Sequence, residues 1–364
     1  MSQKVLVGMS GGVDSSVAAS KLIDQGYEVI GATLMLWQGG KEDIGESGKT
    51  CCSSDDVEDA RSVASKLGIP FYVLDMKDRF ADKVISYFID AYFQGATPNP
   101  CIACNRNLKF GAMLDKALAL GADFIATGHY ARVDFDAGRG RYLLKKALDP
   151  SKDQSYVLYM LTQYQLARLL LPLGDMAKST TRKTAQDKDL RVSDKPDSQD
   201  ICFVEGGYYG DFIKKHSGRE ILPGWFVDRQ GKRLGKHKGI VNYTIGQRRG
   251  LGIAASAPLY VIGKNVEENT IILGFKEESY VSSLIAEDMN YIAFDEPTSA
   301  FKASAKVRYT AREAEALVTP LKDGKASIEF LEPQPFVAAG QAVVLYEGDL
   351  VLGGGIISQK NIDN

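Results

Sequence analysis

Short apolar runs alternate with amphipathic stretches of helical period through the first half of the chain, the pattern of a doubly wound parallel sheet in an α/β domain. Lys4 to Met9 reads as a buried strand leading to a helix over 14–25, and Glu28 to Leu36 as the next strand. Ser54 to Leu67 follows as a helix, with Ser54 or Asp55 as its cap and Gly68 at its exit. Phe71 to Leu74 is a third strand, and 78–93 is helical with a Phe/Ile/Tyr face. The fourth unit runs helically from near Cys104 to Leu120 and turns at Gly121 into the strand Asp123 to Thr127. A hairpin is expected around Asp136 to Gly140, after which Lys152-Asp153-Gln154-Ser155-Tyr156 opens an apolar helix.

The periodicity changes after Phe203. Gly206-Gly207 begins a glycine-rich stretch with short strand-like runs and few helix signals. From Tyr280 onward, runs such as 306–309, 326–330 and 342–346 alternate in period two, and Glu347-Gly348-Asp349 joins the last to Leu350-Val351-Leu352 as a hairpin. These shifts predict three domains: a catalytic α/β domain over 1–207, a small connecting domain over 208–275 and a carboxyl-terminal β-barrel over 276–364.

Length and composition agree with this division. At 364 residues the chain exceeds the usual size of one core, and 45% hydrophobic with 25% charged residues is ordinary for a globular protein. No apolar run is long enough to span a bilayer, and the first residues lack a signal peptide's apolar region, so a cytoplasmic protein with no membrane partner is expected. A net charge of −2 gives no global sign of nucleic-acid binding, so any such footprint must be local. Residues 229 to 249 carry Arg229, Lys232, Arg233, Lys236, Lys238, Arg248 and Arg249 with no acid among them. That stretch is either a phosphate-gripping surface or a solvated hairpin.

The candidate chemistry begins at Ser10-Gly11-Gly12-Val13-Asp14-Ser15, between the first strand and the first helix. Gly11 and Gly12 allow a tight turn with φ above zero, and the helix that follows turns its positive end toward an anion. Asp14 is placed for a magnesium ion. The loop has neither Gly-x-Gly-x-x-Gly nor a Gly-Lys-[Ser/Thr] with its phosphate-gripping lysine. It resembles the PP-loop of ATP pyrophosphatases, which cleave ATP between its α and β phosphates. Gly128-His129-Tyr130 falls at the carboxyl end of the fourth strand, the edge where open α/β sheets bind ligands, although a histidine there also serves as a structural group.

Five cysteines occur, Cys51, Cys52, Cys101, Cys104 and Cys202. In an intracellular chain they argue for chemistry over a disulfide framework. Cys51 and Cys52 suit packing as small hydrophobes. Pro98 and Pro100 stiffen a loop that is expected to deliver Cys104 to a helix start, where a thiolate is favoured. Cys202 ends the polar segment Asp197-Ser198-Gln199-Asp200-Ile201.

From end to end the chain resembles the tRNA-specific 2-thiouridylase (MnmA/TrmU) family. The resemblance rests on residues 8–16, Thr97-Pro98-Asn99-Pro100, Cys104-Asn105 with Lys109-Phe110, residues 126–130, residues 152–156, residues 197–203 and residues 243–248. It implies ATP-dependent replacement of the 2-oxygen of the wobble uridine, position 34, by sulfur in tRNAs for lysine, glutamate and glutamine. Adenylation of that oxygen makes C2 attackable and AMP the leaving group. The implied ATP residues are Gly8, Met9, Ser10, Gly11, Gly12, Val13, Asp14, Ser15, Met35 and Gly128. Asn99, Pro100 and Cys101 match the target-base loop, and His129, Lys152, Asp153, Gln154, Arg308, Tyr309 and Gln341 match tRNA contacts. Cys202 would receive a persulfide from a cysteine desulfurase or sulfur-carrier protein. Its terminal sulfur, or hydrosulfide freed by Cys104, would attack C2 and leave a Cys104–Cys202 disulfide.

One position departs from the pattern: well-known members carry an aspartate where this chain has Cys101. The result, Cys101-x-x-Cys104 plus Cys202, offers three thiolates to a [4Fe-4S] cluster, a second route for the same reaction. Two other classes fit parts of the sequence. A small-molecule ATP pyrophosphatase would use the loop and leave the cysteines idle, and a metal-holding RNA-binding module would have no use for the loop.

Overall fold

The computed structural model describes residues 2–37, 54–196, 201–204 and 208–363. Cys51, Cys52, the segment 197–200 and the Gly206-Gly207 boundary lie outside the described residues.

Val5, Leu6 and Val7 are fully buried, so the strand Lys4–Gly8 has no solvent face and must lie inside a sheet covered on both sides. It pairs in parallel with Glu28–Met35 on one flank and Phe124–Ala126 on the other. Phe71–Asp75 and Leu169–Leu170 complete a five-stranded parallel sheet as its two edges. Helix Val13–Asp24 buries Val13, Val17, Ala18 and Leu22 at helical spacing, as its pattern requires. Gly68 and Gly121 leave their helices with φ of +68° and +73°.

Two boundaries shift. Asn99 caps a helix that begins at Pro100, so Cys104 lies a full turn inside a helical run over 100–119 rather than at its start. The cause is local: Asn99 Oδ1 accepts the Cys101 N–H at 3.1 Å, and proline suits the first helical position, whose N–H is unused. The polar cluster at 152–156 opens only the 3-10 turn Ser155–Leu158, because the Tyr156 hydroxyl is anchored to the Ala342 carbonyl 2.8 Å away and the chain must turn to meet it.

The middle segment opens with helix Tyr209–His216 and continues as a four-stranded sheet. Its hairpin Gly224–Val227 with Arg233–His237 carries the basic stretch, with Arg233 and Lys236 over the Trp225 ring at 4.5 and 5.4 Å.

Six strands from Tyr280–Tyr291 to Leu350–Asp363 form the closed barrel, sealed by pairing of the first with the last. The run at 306–309 is not a strand: Phe301–Lys306 ends at Lys306, and Arg308 and Tyr309 sit in the bend beyond it. The hairpin Arg132–Asp136 with Arg141–Lys145 forms as expected but extends the barrel sheet, where Lys145 pairs with Leu350.

Candidate active site

The carboxyl edge of the parallel sheet gathers the loop after Lys4–Gly8, Met35 at the end of its strand and Gly128 beyond Phe124–Ala126. Gly11 has φ +67°, and a Cβ there would stand 2.3 Å from the Asp56 carbonyl oxygen, so the turn excludes any side chain. Gly12 is extended, at φ −106° and ψ 169°, so only the first glycine supplies the positive φ expected of both. Gly12 is the cap of helix Val13–Asp24 and has no side chain to satisfy the first N–H groups. The Ser15 hydroxyl accepts from the Ser10 N–H at 3.1 Å and donates to the Gly12 carbonyl at 3.2 Å, pinning both sides of the loop. Gly128 lies against the same turn: a Cβ on it would fall 2.7 Å from the Ser15 nitrogen. An uncapped helix terminus with glycine on two sides is shaped for a phosphate.

Sequence reasoning missed the charges around this loop. Lys178 Nζ holds both Asp14 carboxylate oxygens at 2.7 and 2.8 Å. The Tyr130 hydroxyl donates to Asp14 Oδ1 at 2.8 Å and stands 3.0 Å from Thr181 Oγ1. The carboxylate expected to bind magnesium is paired here with an ammonium and a phenol, and its side chain remains partly exposed. Lys178 and Asp14 thus form an ion pair beside the loop. Lys195 Nζ binds the Gly11 carbonyl at 3.0 Å, Asp56 at 2.5 Å and Asp59 at 2.9 Å. Burial lowers the Lys195 pKa, but the two carboxylates outweigh it and the net shift is upward. Lys178 and Lys195 stand far from the loop in sequence, and nothing in their local patterns marks them.

Cys104 is buried, Cys202 half-buried and Cys101 exposed. The Pro100–Cys104 helix packs on residues Ala81–Ser86 of the preceding helical run. Phe203, next to Cys202, meets Phe80 and Phe88 of that same run edge-on at 5.5 and 5.3 Å. Cys104 belongs to the hydrophobic cluster that contains these rings and Cys202 packs against it, so two cysteines distant in sequence border the same cluster. Among the described residues no group of three or more His, Cys, Asp or Glu side chains converges as for a metal. Cys101, Cys104 and Cys202 are thus not gathered into one such group, and the arrangement lends the cluster route no support.

The expected RNA contacts gather at the junction with the barrel. Thr97 N–H donates to the Ala339 carbonyl at 2.8 Å, and Gln341 Nε2 to the Thr97 carbonyl at 2.7 Å. The Tyr309 hydroxyl donates to the Asp153 carbonyl at 3.1 Å, while Asp153 Oδ1 accepts the Ala147 N–H at 3.0 Å. Gln154 Oε1 accepts the Tyr130 N–H at 2.9 Å, linking this junction to the nucleotide loop. Lys152 lies on the turn before Asp153, its N–H bonded to the Asp149 carbonyl at 3.1 Å. His129 is enclosed, sharing a 2.6 Å hydrogen bond with Thr127 Oγ1; burial, reinforced by Lys109, holds its pKa well below the usual value and the ring neutral. Thr97 Oγ1, Asn105 Oδ1 and Arg308 Nε are buried with no hydrogen-bond partner, an unusual concentration of unmet polar atoms around the junction. Nearby, Lys264 Nζ is also buried without a partner, 5.7 Å from the Tyr92 ring, and burial pulls its pKa down to about 7.

A sheet edge built for a nucleotide, in a chain that continues into two β-structured domains, places the protein in the class of HUP-domain proteins. The model described as tRNA methyl transferase HUP domain matches residues 3–206, the tRNA methyl transferase PRC-barrel domain matches 210–275, and the aminomethyltransferase beta-barrel domain matches 281–357. A tRNA-specific 2-thiouridylase MnmA from Acetivibrio thermocellus is 53% identical over 98% of this chain and 99% of its own length. Its counterpart from Clostridioides difficile is 51% identical over 99% of both chains. The chain belongs to the tRNA-specific 2-thiouridylase family.

Proposed function

We propose that the protein is an ATP-dependent tRNA sulfurtransferase that converts the wobble uridine, position 34, of tRNAs for lysine, glutamate and glutamine to 2-thiouridine, releasing AMP and diphosphate. The observation that carries this reading is the pairing of an uncapped, glycine-walled helix terminus with two cysteines, distant in sequence, that border one hydrophobic cluster. Methyl transfer, the activity named in two of the matching family descriptions, needs neither part. A small-molecule ATP pyrophosphatase would leave the cysteines and the junction without a task.

In this reading the Ser10–Ser15 loop and Gly128 hold the phosphates, Met35 borders the adenine, and Lys178 takes up the charge of the departing diphosphate. Magnesium enters as the counter-ion of ATP, with no protein ligand assigned. The uridine leaves its stack and is held by Asn99 and Pro100. Its O2 displaces diphosphate from the α-phosphorus and becomes an AMP ester. Cys202 carries a persulfide supplied by a desulfurase or carrier protein. Cys104 thiolate attacks Cys202 Sγ, a disulfide forms, and the expelled hydrosulfide adds to C2, from which AMP departs. Arg308, Tyr309, Lys152 and Gln341 would meet the RNA backbone.

The test is thiolation of an unmodified lysine tRNA with ATP, a desulfurase and cysteine, read by nucleoside mass spectrometry and AMP release. Wild type should form 2-thiouridine and AMP together. Cys104→Ser and Cys202→Ser should bind ATP and make no 2-thiouridine. Thiolation by Cys202→Ser at the wild-type rate would remove Cys202 from the reaction.

A further inference from the structure

The reaction proposed above ends each cycle with one of its two oxidised sulfurs, that of Cys104, buried. Cys104 is buried and Cys202 only half-buried, so a Cys104–Cys202 bond would offer an external reductant the Cys202 sulfur and keep the Cys104 sulfur out of reach. Cys101 stands three residues before Cys104, on the same helix and on the solvent side. We propose that Cys101 is the resolving thiol of this enzyme: it takes over the half-buried disulfide and presents it at the surface for reduction. The proposal rests on the thiolation reading and adds a residue and a step to it.

The step balances without an added oxidant. Cys101 thiolate attacks Cys104 Sγ, a Cys101–Cys104 bond forms, and Cys202 leaves as thiolate, ready for the next persulfide. A small-molecule or protein dithiol then attacks exposed Cys101 Sγ, releases Cys104 thiolate and closes its own disulfide, so the two electrons come from that reductant.

The geometry favours the exchange. Cys101 occupies the first turn of a helical run over 100–119, where the helix terminus favours the thiolate form. Residues three apart on a helix bring their Cβ atoms to about 5–6 Å, and a disulfide needs roughly 3.5–4.5 Å. Only the first turn has to tighten, between the Asn99 cap and the body of the helix. An aspartate at this position has no sulfur to offer, so the exchange would belong to chains carrying the Cys-x-x-Cys form.

Disulfide mapping after one turnover tests this. Anaerobic enzyme is loaded by a desulfurase and cysteine, freed of both, given ATP and unmodified lysine tRNA without reductant, quenched in acid, alkylated and digested with trypsin. Cys101 and Cys104 fall in one peptide, 84–106, and Cys202 in another, 192–214. Wild type should show peptide 84–106 lighter by two hydrogens and peptide 192–214 alkylated. Cys101→Ser should show the two peptides cross-linked. Its ratio of steady-state to first-turnover rate with a thioredoxin-class dithiol should fall about tenfold or more. If wild type makes 2-thiouridine but retains the cross-link between the two peptides, the exchange is refuted and the thiolation reading stands. Stoichiometric iron and sulfide on the active protein would refute it equally. No 2-thiouridine at all would overturn both.

Discussion

Replacing Gly128 by alanine probes the nucleotide site through sterics alone, because this glycine does not occupy the left-handed region. The added Cβ would meet the Ser15 nitrogen at 2.7 Å, the Asp14 carbonyl carbon at 2.8 Å and Asp14 Cβ at 3.0 Å. Ordinary contact begins at 3.4 Å, so the first turn of helix Val13–Asp24 and the segment after Phe124–Ala126 must separate by about 0.7 Å. None of these atoms is the far end of a flexible side chain, so the movement falls on the backbone that would surround the phosphates. Overpacking of this kind costs about 1–3 kcal/mol of stability, or roughly 2–4 °C in melting temperature for each kcal/mol. The effect on turnover should be larger, since a misplacement of about 1 Å in a reacting group costs on the order of a hundredfold in rate. Differential scanning fluorimetry, ATP titration calorimetry and single-turnover thiolation separate the two effects. A variant that unfolds a few degrees early but binds ATP weakly and turns over about a hundredfold more slowly fits the reasoning. Wild-type ATP affinity and rate in a protein with normal melting would show that Gly128 does not border the nucleotide.

Lys178→Ala removes the ammonium from Asp14 and should weaken ATP binding about tenfold, with Lys178→Arg recovering part of it; unchanged calorimetric affinity would exclude Lys178 from the phosphate site. Lys264→Met should raise the melting temperature near pH 7.5. With a native pKa of about 7 against an ordinary 10.5, the unfolded chain holds a proton across that window that the folded chain lacks. Wild-type stability should therefore climb as pH rises from 7 to 10, by up to about 1.4 kcal/mol per unit, and the gain from methionine should fade; parallel melting curves would refute this. Gln341→Ala deletes the hydrogen bond from the barrel to the Thr97 carbonyl and should raise KM for tRNA with ATP affinity unchanged, at a stability cost of about 1 kcal/mol. A KM equal to wild type would detach that contact from substrate placement.

The parallel sheet was legible because its strands are buried on both faces and read as unbroken apolar runs, as Val5 to Val7 do. The glycine loop was legible because a strand, a tight turn and a helix leave a local signature. The surrounding charges were not, since Lys178 and Lys195 reach the loop only after the chain has crossed the whole sheet. Asp14 shows the consequence: a carboxylate read by itself suggests a metal, and beside Lys178 it becomes an ion pair. The helix start was misplaced toward Cys104 because the Asn99 cap and Pro100 act one turn earlier than the thiol draws the eye. The strand expected over 306–309 stops short because its last residues turn toward Asp153, a partner no periodicity records. That Cys104 and Cys202 border one cluster follows from Phe80, Phe88 and Phe203 packing together, which the sequence shows only as scattered aromatics.

The strand Arg141–Lys145 finds its outer neighbour only when Leu350 has been made. About two hundred residues separate them, so at typical synthesis rates the hairpin waits on the order of 10–40 s before that edge can be paired. A ribosome-bound chain therefore carries a nearly finished nucleotide domain with an adhesive strand protruding from it. The barrel is consequently no detachable appendage: a shortened chain ending before residue 350 would keep that edge permanently and be prone to self-association. An exchange of barrels between relatives would have to carry the 132–145 hairpin along with it.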